Sequence, residues 1–257
     1  MAVKLKSRDE LRVMREAGQI VGETLARIRG MVCPGLNLKD VERFVHEEFT
    51  RRGAKETFLH YTPDRRRAPP YPSNICISVN EQLVHGIPRD RRLVEGDIVT
   101  FDLGATYRGY VGDAAITVAV GEISAEAARL MEVTEDSLWK GIRAAGKGSH
   151  LNDVCGAIED TALAAGYGVV RGYGGHGVGR EMHEEPHVPN HRLRGRGVPL
   201  RAGLVIALEP MFTIGSPETT EGADRWTVST KDGSLCCHFE HTIAIREGCE
   251  PEVLTLP

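Results

Sequence analysis

An α+β protein of two similar halves is predicted by three observations. Amphipathic helices come in two pairs, each with its own capping signals, and runs with strand alternation follow each pair. The third is a short pattern found once in each half, in which an acid closes an apolar run six residues after a glycine: Gly96 to Asp102, and Gly203 to Glu209. This weak repeat gives one domain with halves of about 1–121 and 122–257, and 257 residues with 41% hydrophobic content can build a core of that size.

The first helix opens on Ser7-Arg8-Asp9-Glu10, a capping box in which serine and glutamate satisfy each other's backbone donors, and Leu11, Met14, Ala17, Val21, Leu25 and Ile28 follow at helical spacing until Gly30. A second helix is expected from about Leu38 to Arg52, with Val41, Phe44, Val45 and Phe49 on one side and Gly53 placed to end it. A loop rich in proline and arginine, Tyr61 to Pro72, comes next. Alternation then predicts strands over 74–80, 98–103 and 114–120, the last two forming a hairpin about Tyr107-Arg108. The second half begins with a helix capped by Ser124 and running to about Ala145, then one from about Leu151 to Ala165 ended by Gly166. Strands are expected over 204–208, 226–230 and 235–245, the latter two joined by the turn at Lys231-Asp232-Gly233.

Bulk properties exclude several classes. A net charge of −4 gives no pull toward DNA or an anionic membrane, although Arg65-Arg66-Arg67 is a local basic cluster, readable as a solvated loop or as a patch that docks on ribosomes. Six cysteines without CxxC spacing fit reduced thiols, and adjacent Cys236 and Cys237 are poorly placed for an ordinary disulfide. Neither an apolar signal core nor a run of ~20 apolar residues occurs, so a cytoplasmic location is expected.

Chemistry enters through charges in places that disfavour them. Asp102 ends an apolar strand, Asp113 begins another, Glu209 follows Ala207-Leu208, and Glu240 sits among Phe239, His241 and Ile243. A carboxylate buried there costs several kcal/mol unless paired or bound to a cation. Taken singly, an aspartate beside a glycine is as readily a cap or turn residue, and Glu209 before Pro210 could end a strand facing water. In the expected hairpin, however, positions 102 and 113 lie opposite each other with Cβ atoms ~5 Å apart, a repulsive arrangement unless something positive lies between. On the last strand His238, Glu240 and Thr242 share one face, a polar inner wall. His176 lies in Gly174-Gly175-His176-Gly177-Val178-Gly179, where glycines let the backbone approach whatever the imidazole touches, and is expected to be a ligand. His85 and His183 each read, singly, as structural histidines, as do His46, His60, His150, His187, His191, His238 and His241. Four carboxylates and one imidazole make a hard donor set suited to two divalent ions, Mn, Fe, Co, Mg or Zn, and hence to hydrolysis.

In order along the chain, Val84-His85-Gly86-Ile87-Pro88, Asp102 and Asp113, Gly175-His176-Gly177-Val178-Gly179, Met182-His183-Glu184-Glu185-Pro186, Leu208-Glu209-Pro210 and Phe239-Glu240-His241-Thr242 resemble the type I methionine aminopeptidases over essentially the whole chain. The resemblance implies the pita-bread fold, two α/β halves around a curved antiparallel sheet with helices outside. It also implies an enzyme that removes methionine from the N-termini of nascent polypeptides when the second residue is small; a monomer is expected, although the residues themselves do not reveal the oligomeric state. Position by position, the implied metal ligands are Asp102, Asp113, His176, Glu209 and Glu240, with Asp113 and Glu240 touching both ions and the metal (Co, Mn, Fe or Zn) left open. His85 and His183 would bind the substrate, Glu209 would move a proton, and Tyr71, Cys76, Met182 and Trp226 would line the methionine pocket. Two departures stand out: Met182 where the family commonly has an aromatic, which bears on side-chain selectivity, and an apparent insertion, Thr62 to Pro70, beside the pocket. The alternatives are a related pita-bread peptidase acting on X-Pro bonds, which usually has a further N-terminal domain, and a non-catalytic pita-bread binding protein, in which ligands would be lost.

Overall fold

A computed structural model of the chain describes residues 3–62, 68–146 and 148–257. The basic cluster Arg65–Arg67, and most of the stretch Thr62 to Pro70 with it, lies outside the described residues.

Two helices, α1 (Arg8–Met31) and α2 (Leu38–Arg52), open the chain. They lead into β1 (Lys55–Glu56), β2 (Cys76–Val79), β3 (Gln82–Val84), β4 (Ile98–Tyr107) and β5 (Tyr110–Ala119). A second helix pair, α3 (Ala125–Ala144) and α4 (Leu151–Ala165), is followed by β6 (Gly168–Val169), β7 (Gly174–Gly177), β8 (Glu184–Pro189), β9 (Val205–Leu208) and β10 (Met211–Thr213). The chain closes with β11 (Thr219–Glu221), β12 (Val228–Thr230), β13 (Cys236–His238), β14 (Glu240–Ala244) and β15 (Glu252–Val253). Every strand pairing among the described residues is antiparallel. The main sheet has nine strands ordered β1-β4-β5-β14-β9-β7-β8, with β2 beside β4 and β15 beside β14; β13-β10-β6 and β11-β12-β3 form two smaller sheets.

Local chemistry accounts for the helices. Glu10 N–H donates to Ser7 Oγ at 3.3 Å while Glu10 Oε2 accepts from Ser7 N–H at 2.8 Å, the reciprocal cap read from the sequence. Gly53 (φ 67°) and Gly166 (φ 79°) end α2 and α4 in the left-handed conformation that glycine adopts without penalty. Val21, Leu25 and Ile28 of α1, Val45 and Phe49 of α2, Leu130 and Leu138 of α3, and Val154 and Ile158 of α4 share one core with Phe101, Leu103, Ala114 and Ile116 of the central strands. Because strand side chains alternate between faces, Asp102 and Asp113 point away from that core.

Two details differ from expectation. The β4–β5 turn centres on Arg108-Gly109, with φ of 49° and 80°, one position later than the sequence suggested, because a two-residue hairpin twisted to match its strands needs positive φ at both central residues and Gly109 supplies one of them freely. Asp102 therefore pairs with Ala115, and Asp113 with Gly104. The two aspartates are diagonal neighbours on one face, not directly opposite. The expected 226–230/235–245 hairpin also does not form. β12 pairs with β11 and β3, β13 pairs with β10, and the last strand run breaks at Phe239, so that β14 alone enters the main sheet between β5 and β9. Among the described residues no helix is long and apolar enough to cross a membrane, and all six cysteines are free.

Candidate metal centre and active site

Central strands deliver the acids. Asp102 lies in β4 and Asp113 in β5; Glu240 starts β14 beside Ala115; Glu209 follows directly after β9, whose Leu208 pairs with His241. The Thr242 hydroxyl donates to the Asp113 carbonyl at 2.7 Å, fastening β14 to β5, and Asn190 Nδ2 donates to the Glu209 carbonyl at 2.7 Å. His176 arrives on β7, where Gly175 is required by close approach: a Cβ there would stand 2.0 Å from the Ala207 carbonyl oxygen.

The five expected ligand residues meet from across 138 positions of sequence, counted from Asp102 to Glu240. Asp113, His176 and Glu240 present donor atoms all within 4.8 Å of one another, and Glu209, His238 and Glu240 form a second such group. Asp102 stands in neither tight triad, but the charges of Asp113 and Glu209 act on it and its own acts on Glu240. His176 Nδ1 lies 3.0 Å from the Gly177 carbonyl, which can only accept, so Nδ1 carries the proton and the Nε2 lone pair faces Glu209 Oε1 at 3.2 Å and Asp113 Oδ2 at 3.7 Å. Lone pairs facing lone pairs need a proton or a cation between them.

Electrostatics state the same need. Burial pushes the Asp113 carboxyl up to about 7. Burial first, then neighbouring carboxylates, hold Asp102, Glu209 and Glu240 well above the usual carboxylate range. Burial also lowers His176 to about 3, which keeps it neutral and able to ligate. Asp113 Oδ1, Glu209 Oε1 and Glu240 Oε1 are buried acceptors with no hydrogen-bond partner. Acceptor-only atoms left this way fit a divalent cation, and the oxygen-rich set with one imidazole suits a hard or borderline ion.

Around this cluster lie the expected substrate residues. His183 packs against His176 with ring centroids 4.2 Å apart and planes tilted by 54°, and its Nδ1 is 2.7 Å from the Tyr61 hydroxyl. His85 follows β3 in the left-handed region (φ 58°), a conformation that costs a non-glycine residue roughly 1–2 kcal/mol and is held here because Ile77 N–H donates to the Gly86 carbonyl and Gly86 N–H to Ser78 Oγ. Tyr71, Cys76 and Trp226 are buried together with Phe58, and Met182, Tyr61 and Ile87 pack against them. Tyr71 meets Trp226 edge-on at 5.1 Å, and Trp226 Nε1 donates to the Pro69 carbonyl at 2.9 Å. Cys76 is the β2 partner of Asp102 in β4, so this apolar cluster lies directly beside the acids.

Phe58 and Tyr61 carried no sequence signal, since both lie in irregular chain whose path periodicity cannot trace. His238 is different. As a residue of the polar inner wall it carried a readable signal, yet as a structural histidine it should have hydrogen-bond partners, and neither ring nitrogen has one.

The description "Metallopeptidase family M24" matches residues 12–247 of the chain. A methionine aminopeptidase of Aquifex aeolicus is 47% identical over 262 aligned residues covering 99% of each chain. A methionine aminopeptidase structure from Thermotoga maritima superposes with a TM-score of 0.94 at 41% identity, covering 100% of both chains. Pyrococcus furiosus prolidase, at 22% identity and TM-score 0.77 over 98% of this chain and 65% of its own, shares the fold alone. These likenesses make the architecture the pita-bread fold. The chain belongs to metallopeptidase family M24, within its methionine aminopeptidases.

Proposed function

We propose that this chain hydrolyses the first peptide bond of polypeptides beginning with methionine, preferring a small second residue, with two divalent ions held by Asp102, Asp113, His176, Glu209 and Glu240. One observation carries the reading: Cys76 of the apolar Phe58–Tyr71–Cys76–Trp226 cluster is the strand partner of Asp102, which sets apolar side chains suited to a methionine against a buried acid cluster. Its single-domain organisation, with halves of about 1–121 and 122–257, draws support from the return of a helix pair followed by strands in each half.

Divalent ions in this site would supply Lewis acidity and a water acidic enough to deprotonate near neutral pH. Glu209, raised by burial and bordering His176, takes the proton from the attacking water and passes it to the leaving amine. The Tyr61 hydroxyl stands 2.7 Å from His183 Nδ1, and the role assigned to His183 requires the tautomer that accepts from Tyr61 there and donates its Nε2–H to the oxygen that gains negative charge. His85, on its fixed backbone, positions the substrate next to Trp226, to whose ring it lies edge-on at 6.1 Å. Phe58, Tyr71, Cys76, Trp226 and Met182 take the methionine side chain, and the flexible thioether of Met182 adapts the pocket's shape.

The test is a peptide panel on metal-stripped enzyme with Mn, Fe, Co or Zn added back. Met-Ala-Ser is expected to lose methionine, and Met-Lys-Ser and Ala-Pro-Ser to remain intact. Preferential cleavage of Ala-Pro-Ser would overturn the reading in favour of an X-Pro peptidase.

A further inference from the structure

We propose that His238 is a nitrogen ligand for a divalent cation, shared with Glu209 and Glu240. The inference rests on the reading of Glu209 and Glu240 as metal ligands and adds a residue to that site.

His238 ends β13 only 2% exposed, and among the described residues neither Nδ1 nor Nε2 has a hydrogen-bond partner. A neutral imidazole always presents one N–H and one lone pair, and leaving such a group buried and unsatisfied costs about 1–3 kcal/mol. His241, three residues on, shows what a structural histidine does: its Nδ1 lies 2.8 Å from Thr255 Oγ1 and its ring packs on Trp139. His238 makes no such contact, although its backbone is firmly held. Its carbonyl accepts from the Thr117 hydroxyl at 2.6 Å, and the residue pairs with Met211 across the smaller sheet.

What the imidazole faces is the other orphaned set. Glu209 Oε1 and Glu240 Oε1 are buried and unpartnered, and Glu209, His238 and Glu240 offer ligand atoms within 4.8 Å of one another. His238 Nε2 stands 4.0 Å from Glu240 Oε2, too far for a hydrogen bond. Metal–ligand bonds of about 2.0–2.2 Å place two donors of one ion roughly 3–4 Å apart, so the spacing is that of co-ligands. The triad shares only Glu240 with the Asp113–His176–Glu240 group, and each triad then holds one imidazole. A nitrogen donor beside two carboxylates favours zinc or cobalt over magnesium at this position.

The experiment uses the full chain, stripped with a chelator and loaded with zinc or cobalt. X-ray absorption on the zinc-loaded wild type should show scattering from two imidazoles per protein, and His238→Gln should remove one. In calorimetric and visible-absorption titrations with Co²⁺, His238→Gln and His238→Ala should weaken one class of binding at least about tenfold and leave a remaining class in place. A single imidazole in the wild type, or cobalt spectra and stoichiometry unchanged by both substitutions, would overturn the proposal while leaving the five-ligand site intact. If the wild type binds no divalent ion at all, Glu209 and Glu240 are not ligands, and both readings fall. The wild-type absorption measurement decides the matter even if a variant fails to fold.

Discussion

Glu240 belongs to both acid–imidazole triads, so its loss would disturb every cation position at once. Substitution Glu240→Ala is expected to lower turnover of a methionyl peptide by more than about a hundredfold, beyond the 10–100-fold typical of a partner that only supports a ligand, and to reduce bound metal as measured by elemental analysis. Near-full activity with full metal content would contradict its place in the site. At this scale the sequence was informative because burying a charge is costly: Asp102, Asp113, Glu209 and Glu240 each interrupted an apolar run, and all four converge. What it misplaced was the register between the aspartates. Shifting the turn by one position moves the pairing by two, which keeps both side chains on one face, so alternation alone could not distinguish the two registers. His238 was legible as part of the inner wall but not as unpartnered, since hydrogen bonding is a property of the assembled neighbourhood.

The element that presents His183 is held by a buried ion pair. Lys6 Nζ lies 2.8 Å from Glu184 Oε2 with both side chains 5% exposed, and Glu184 Oε1 accepts from Arg180 N–H at 3.1 Å, tying the segment before α1 to the start of β8. Burial alone would raise the Glu184 carboxyl; the Lys6 ammonium and the backbone donors outweigh it and hold the group below its ordinary value. A carboxyl depressed by folding stabilises the protein fully above its unfolded pKa, ~4.3, and the contribution is lost as pH falls through the lower folded value. Glu184→Gln removes the charge and leaves Lys6 buried without its counter-ion, which should cost about 3 kcal/mol at pH 7. In urea unfolding, the gap between this variant and wild type should be widest at neutral pH and close as pH falls through the lowered folded value, where the native group is itself protonated. A gap constant across that range would show that the pair contributes packing and not charge. Sequence patterns gave neither this link nor the break at Phe239, for opposite reasons. The helices are local, set by caps and spacing within each segment, whereas β13 and β14 part company because their partners, β10 and β5, come from different sheets.

Across the whole molecule, the halves and the chain's last residues are joined where three glycines allow backbones to touch. α1 crosses β5 so closely that a Cβ on Gly112 would lie 2.6 Å from the Ala17 carbonyl carbon and the Gly18 nitrogen, while one on Gly18 would lie 2.1 Å from the Leu254 carbonyl oxygen and one on Gly22 would lie 2.2 Å from that of Thr255. Arg15 Nη1 donates to the Leu254 and Leu256 carbonyls, both at 2.7 Å, closing the same seam. The pita-bread outline was readable from helix pairs and the repeated acid, but this seam was not, because nothing in a glycine's sequence context says which distant backbone will press on it. Gly112→Ala puts a methyl group against main-chain atoms that cannot rotate aside, so α1 must lift from β5. The cost should be about 2–3 kcal/mol, or roughly 5–10 °C in Tm. Since Asp113 is the next residue, the same displacement moves a carboxylate of the Asp113–His176–Glu240 group, and affinity for Co²⁺ should fall together with stability. Gly30→Ala in the last turn of α1 is the control: nothing lies within 4 Å of its Cβ, and alanine there should be neutral or stabilising by up to about 1 kcal/mol. Equal melting temperatures for the two variants would show that the helix–strand approach is not what fixes the metal-binding face. A fall in Tm without loss of cobalt affinity would show instead that the acid cluster is positioned by β14 and β9 independently of α1.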